Sequence, residues 1–161
     1  MSVFRPLRSL PALLLLLAAC GGGGEQPAPA QGAAPAAAGG DLTAFQLEHG
    51  IGPITEPVSL PAGTDAAMAA AGKAVFETKC SACHKMGEKY VGPALGEVTT
   101  RRSPAFIMNM MLNPQEMIEK HPVVKQLVAE MMSFMPNQGL TQDEARQVLE
   151  YLRTQSKGAA Q

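Results

Sequence analysis

The chain has 161 residues, no tryptophan, 4% aromatic residues and a formal charge of −1. That is one domain's worth of length, with too few aromatic groups to fill a core by protein packing alone. The mild charge argues against nucleic acid and against a strongly steered partner, and each of the three cysteines has a separate candidate role, leaving no pair for a structural disulfide.

Residues 1–19 carry Arg5 and Arg8 ahead of an apolar run over 10–19 that contains Pro11. The run is too short to span a bilayer, and its basic start and small-residue end are those of a secretory signal. Leu17-Ala18-Ala19-Cys20 matches the bacterial lipobox, so Cys20 is the candidate lipidated N-terminus of the mature protein. The alternative is ordinary cleavage near Ala19, with Cys20 left as a loose thiol. Removing residues 1–19 takes Arg5 and Arg8 and no acid, which moves the formal charge from −1 to −3.

From 21 to 40, 17 of 20 residues are Gly, Ala or Pro, a composition that cannot bury enough surface to offset its ordering entropy. With Cys20 this makes residues 20–40 a flexible tether, reaching roughly 25 Å, that would hold the following domain near a membrane. Composition changes at Asp41. Residues 41–65 include Leu42, Phe45, Leu47, Ile51, Ile54, Val58 and Leu60, interrupted by Gly50, Gly52, Pro53, Pro57 and Pro61. The expectation is a short helix over 43–48 and then an extended strap on the domain surface, with His49 a surface or strap histidine.

Residues 66–79 read as a helix capped by Asp65 or Thr64, with Ala67, Ala71, Ala74, Val75 and Thr78 at helical spacing. Gly72 and Phe76 share a face, and a mid-helix Gly points to close approach of another helix. This helix runs into Cys80-Ser81-Ala82-Cys83-His84, a CxxCH string that reads as the attachment site of a covalent c-type haem. Two thiols at that spacing can each add to one vinyl group, and the following imidazole then lies under the iron. A zinc site would need four ligands, and Cys20, His49 and His121 supply none at finger spacing. A thioredoxin-like redox pair would need a βαβ context, whereas the flanking segments are helical.

Val91-Gly92-Pro93 follows, with Pro93 nine residues after His84. Ser103-Pro104 opens a helix through Leu112, a short one follows over 115–120, and Pro122 begins another with Val124, Leu127, Val128 and Met131 in phase. Met108, Met110, Met111, Met117 and Met131 fall in helical patterns, where methionine is adaptable core filler. Met135 differs because it precedes Pro136, a position biased away from α geometry, so its sulfur can project from a loop at an iron. Met132, His121 and His49 are the other candidates for a distal ligand. Phe134 is expected to line the pocket, and Asn137 is a candidate donor to the thioether. Thr141 and Glu144 then form a capping box, and Ala145, Val148, Leu149 and Leu152 make one apolar stripe. Tyr151 and Leu152 are placed to pack on Gly72 and Phe76.

A first helix with Gly and an aromatic, CxxCH, a following Gly-Pro, a late Met-Pro and a terminal helix with Tyr-Leu together resemble a monohaem class I cytochrome c over residues 66–157. The resemblance implies an all-α fold, helices packed round one covalent haem c behind an N-terminal strap, with 158–161 a disordered tail. It further implies that the Pro93 carbonyl accepts a hydrogen bond from His84, fixing tautomer and orientation, and that docking uses a patch round the haem edge, with Lys73, Lys79, Lys85 and Lys89 as a candidate rim. His84/Met135 ligation leaves no open iron position and raises the potential. No catalytic constellation is present, so the expected role is a monomeric, non-enzymatic electron carrier, extracytoplasmic and lipid-anchored facing the periplasm. Its donor would be a quinol-oxidising complex and its acceptor a terminal haem–copper oxidase or a periplasmic reductase. A haem sensor or enzyme with an open distal site, and a permanently docked relay subunit, are the alternatives.

Overall fold

The computed structural model describes residues 42–156, which are helical and contain no strand. The signal segment 1–19, Cys20, the tether of residues 20–40 and the tail 158–161 lie outside the described residues.

Seven helices follow in order: α1 Ala44–His49, α2 Ala66–Lys79, α3 Val98–Arg101, α4 Pro104–Leu112, α5 Pro114–Lys120, α6 Pro122–Met131 and α7 Gln142–Gln155. Local chemistry accounts for most of their starts. Thr43 and Thr141 each form a full capping box, with Gln46 and Glu144, Asp65 and Ser103 accept from the third helical N–H, and proline opens α4, α5 and α6.

The pairing of α2 with α7 anchors the fold. A Cβ at Gly72 would stand 1.9 Å from the Gln147 carbonyl oxygen, so only glycine lets the two backbones touch there. Phe76 and Tyr151 meet one turn away, ring centroids 5.4 Å apart, and Ala145, Val148, Leu149 and Leu152 are all buried. The buried stripe of α2 is Ala69, Gly72 and Phe76, which corrects the alanine phase expected from sequence: Ala67, Ala74 and Thr78 face solvent. A run of near-identical small residues carries almost no periodic signal, so the larger neighbours set the rotation.

The strap is ordered, and buried polar groups fix it. Asn109, fully buried on α4, accepts from the Ile54 N–H at 3.0 Å and donates to the carbonyls of Ile54 and His49. Ile51 N–H reaches the Met117 sulfur at 3.1 Å, and Asn113 donates to the Ile51 carbonyl. Farther on, Glu150 of α7 accepts from the Asp65 N–H at 2.8 Å and from Arg153 and Arg146, while Arg153 also donates to the Pro61 carbonyl. Burial pushes the Glu150 carboxyl up, but these donors outweigh it and hold its pKa below the ordinary range. His49 is mostly covered, its Nδ1 2.8 Å from the Ser103 hydroxyl; it tethers the strap instead of lying on the surface. The short helix α3 has no cap hydrogen bond from its N-cap side chain and only four residues, which is why no pattern announced it.

Two outcomes are expected. Gly72→Ala forces backbone from backbone and should cost about 3 kcal/mol, read as a lower denaturant midpoint. Because the folded-state pKa of Glu150 is depressed, its contribution is full above the unfolded value of about 4.3 and is lost as pH falls through the folded one. Denaturant unfolding of the natural protein should therefore weaken more steeply below about pH 4 than that of Glu150→Gln.

Candidate functional site

The site begins where α2 stops. Cys80 N–H and Ser81 N–H both return to the Phe76 carbonyl at 2.9 Å, and the Cys80 carbonyl then accepts from Cys83 and His84. This coil of backbone stacks the two sulfurs and the imidazole at one helix end. The next loop folds back along it: Gly92 N–H donates to the Cys83 carbonyl at 2.8 Å, Leu95 to Lys85 and Gly96 to Met86. Pro93 is thereby brought under His84, whose Nδ1 lies 3.0 Å from the Pro93 carbonyl. A carbonyl only accepts, so Nδ1 carries the proton and Nε2 keeps its lone pair. Gly92 makes the approach possible, since a Cβ there would lie 2.5 Å from His84 Cε1.

Cys80, Cys83, His84, Pro93 and Met135 all line one cavity of about 250 Å³, together with faces of α4, α6 and α7. Its walls are apolar almost throughout: Ile107, Met111, Val124, Leu127 and Val128 oppose the cysteine end. Burial pushes the Cys80 thiol up, with Cys83 adding to the effect and Lys79 opposing it. Among the described residues no three His, Cys, Asp or Glu side chains come close enough to hold a metal ion.

Met135 lies on the irregular segment between α6 and α7, after the left-handed Met132 and directly before Pro136. Met110, Met111 and Met131, read from sequence as filler, line the same cavity, whereas Met108 and Met117 are buried away from it. Met132 is 92% exposed. His121 is fully buried, with Nε2 3.2 Å from the Leu47 carbonyl and its ring edge-on to Phe106. Burial lowers its pKa despite that carbonyl, and neither it nor His49 lines the cavity. Phe134 lines the mouth while remaining 68% exposed. Asn137 is turned away, its Oδ1 accepting from Gly139 N–H at 2.8 Å.

The four lysines expected as a rim have local partners. Lys73 pairs with Glu77 at 2.7 Å. Lys79, Lys85 and Lys89 donate to the carbonyls of Gln138, Ser81 and Glu130, and Lys85 lies 5.1 Å from the centroid of the Tyr90 ring. Sequence reasoning passed over Arg101 and Arg102, which also line the cavity. Two adjacent arginines between unpatterned segments give no signal until the fold turns them toward a site.

A family model for cytochrome c matches residues 69–156. A cytochrome c-553-like protein of Synechocystis sp. (strain ATCC 27184 / PCC 6803 / Kazusa) is 32% identical over 84 residues, 52% of this chain and 65% of that relative, so the chain spans just under two thirds of its length. Cytochrome c from Rhodothermus marinus is 49% identical, with a TM-score of 0.65 over 68% of this chain and 94% of that one. An engineered form of the Rhodothermus protein, described as bound to a carbene intermediate, aligns with a TM-score of 0.62 at 49% identity, over 68% of this chain and 95% of its own.

Gly92→Ala is expected to push the imidazole off the Pro93 carbonyl. The loss of the His84 Nδ1 proton resonance from its hydrogen-bonded position would report it, with a stability decrease of about 1–3 kcal/mol from overpacking.

Proposed function

The chain belongs to the cytochrome c family, whose cofactor is a covalent haem c, and we propose that it carries single electrons in a bacterial respiratory chain through a haem held by His84 and Met135. The class I fold and an electron-carrier role follow from the family itself. The residues present suit the group: two sulfurs and an imidazole at one helix end, an apolar cavity beside them, and a glycine whose missing Cβ leaves room against the imidazole. Bound haem supplies the one-electron couple of its iron.

Cys80 and Cys83 would carry the thioether bonds. His84 would offer Nε2, and the Pro93 carbonyl, by holding Nδ1–H, keeps the ring in one tautomer and one plane. Met135 would offer its sulfur from the far wall, a soft ligand that favours the reduced state. The apolar faces of α4 and α6 exclude water, which keeps the rearrangement of surrounding dipoles small when the charge changes. The observation that carries this reading is the convergence of Cys80, Cys83, His84 and Met135 on one cavity from segments as much as 55 residues apart in sequence.

The wider setting belongs to the same proposal. Cys20 would be diacylated and would anchor the domain facing the periplasm, more than one acyl chain being needed for stable attachment. Among the described residues no helix is long and apolar enough to cross a membrane. Donor and acceptor would be a quinol-oxidising complex and a terminal haem–copper oxidase or periplasmic reductase, met through a small interface. The engineered relative described with a bound carbene favours a second reading, in which the distal side opens to a small ligand.

Visible and far-red spectra of the haem-loaded protein separate the two. A low-spin spectrum with a sulfur-to-iron charge-transfer band, abolished in Met135→Ala and accompanied there by rapid carbon monoxide binding, is the expected result. Rapid carbon monoxide binding to the unaltered ferrous protein at neutral pH would establish the open site instead.

A further inference from the structure

We propose that His121 is an acid-sensitive latch for the strap: as a neutral ring it holds α1 on the body of the domain, and as an imidazolium it lets α1 go. The helix α1 has six residues and none of them is buried. A helix that short does not persist alone in water, so a few contacts decide whether it stays docked and folded. The polar contacts that reach it come from Asn109, Ser103 and His121. Asn109 donates to the His49 carbonyl at 3.1 Å and does not titrate. The Ser103 hydroxyl, 2.8 Å from His49 Nδ1, can accept from that ring in either charge state.

His121 is different. Its ring is fully buried at the junction of α5 and α6, with Nε2 3.2 Å from the Leu47 carbonyl. A carbonyl only accepts, so Nε2 carries the proton and Nδ1 keeps a lone pair. Nδ1 is buried and has no hydrogen-bond partner. A second proton would therefore add a buried charge together with an N–H that has no acceptor, and both are costly. Burial accordingly lowers the His121 pKa and the Arg102 charge adds to that, against the carbonyls of Leu47 and Gln46, which favour the charged ring. The other charged groups on the surrounding elements are Glu48 and His49 of α1, Glu116, Glu119 and Lys120 of α5, and Lys125 of α6. Glu48 lies 3.9 Å from His49 and Glu116 pairs with Lys120 at 2.6 Å. None of them pairs with the His121 ring.

The sign follows from linkage. Once α1 is released the ring regains its ordinary value of about 6.5, whereas the docked ring lies below it. Docking is therefore at full strength above about pH 6.5 and weakens as pH falls toward the docked value, by at most about tenfold per pH unit for one proton. Release moves the first fixed point of the chain from α1 to the anchors at Ile51 and Ile54. Nothing in this latch depends on the haem reading of the cavity.

Hydrogen exchange followed by NMR in the full-length, haem-loaded protein tests it, read as protection factors so that the intrinsic pH dependence of exchange is removed. The amides of Leu47 and Gly50, bonded to the carbonyls of Thr43 and Gln46, should lose protection by up to about tenfold per pH unit below about pH 6.5, while those of α7 keep theirs. His121→Gln should make α1 protection independent of pH, and His49→Gln should leave the slope in place. Nitrogen-15 shifts of the His121 ring in the unsubstituted protein, which need no variant to fold, should show Nε2–H and a bare Nδ1 at about pH 7.5. Protection of α1 that stays flat between about pH 8 and about pH 5 overturns the latch, as does a slope that survives His121→Gln. A His121 ring that is charged, or of the opposite tautomer, at about pH 7.5 overturns it equally.

Discussion

The contact between the backbones of α2 and α7 at Gly72 is the constraint on which the rest of the structure depends. With no Cβ between them, the Gln147 carbonyl reaches the α2 backbone, and the last turn of α2 is fixed relative to the terminal helix. That last turn delivers Cys80, and the coil after it delivers Cys83 and His84. A helix pair held apart by even one methyl group would move the sulfurs and the imidazole as a unit against the walls made by α4 and α6. Close helix packing is thus part of the geometry of the cofactor site and not only a source of stability.

A shortage of aromatic residues gives the cofactor a second role. The domain has two apolar clusters, one around Phe76 and Leu149 and the other around Phe106 and Met117, and side chains from both border the same cavity. Met110, Met111, Met131 and Met135 are among its lining, flexible side chains able to shape themselves to a large flat group. Buried polar side chains then do what a larger core would do in a longer chain: Asn109 makes three hydrogen bonds to His49 and Ile54, and Glu150 accepts from Asp65 and from two arginines of its own helix.

Wherever one residue type has a single geometric job, the primary structure was legible. Ser103-Pro104, the Thr141–Glu144 capping box and the Gly92-Pro93 turn all led to the right element or contact. The apolar stripes of α6 and α7 were readable because apolar residues recur among charged and polar ones in them; α2 was misphased because alanine does not distinguish its faces. Asn109, Glu150 and His121 were silent, because a polar residue in a helix gives no sign of being buried until its partners, some 55 to 85 positions away, are placed around it. The arginines at the end of α3 were silent for the same reason, as were the partners of the four lysines, since sequence shows charge but not the neighbour that holds it.

The strap's attachments have a mechanical consequence. Residues 51–65 are fastened to α4 and α5 through Asn109, Asn113 and Met117, and to α7 through Glu150 and Arg153, before the chain enters α2. A pull arriving from the N-terminal side is therefore shed into the body of the domain at these anchors, as a cable clamp takes the load off a soldered joint. The helix that leads into Cys80 and Cys83 is left unstressed however the leading segment is tugged.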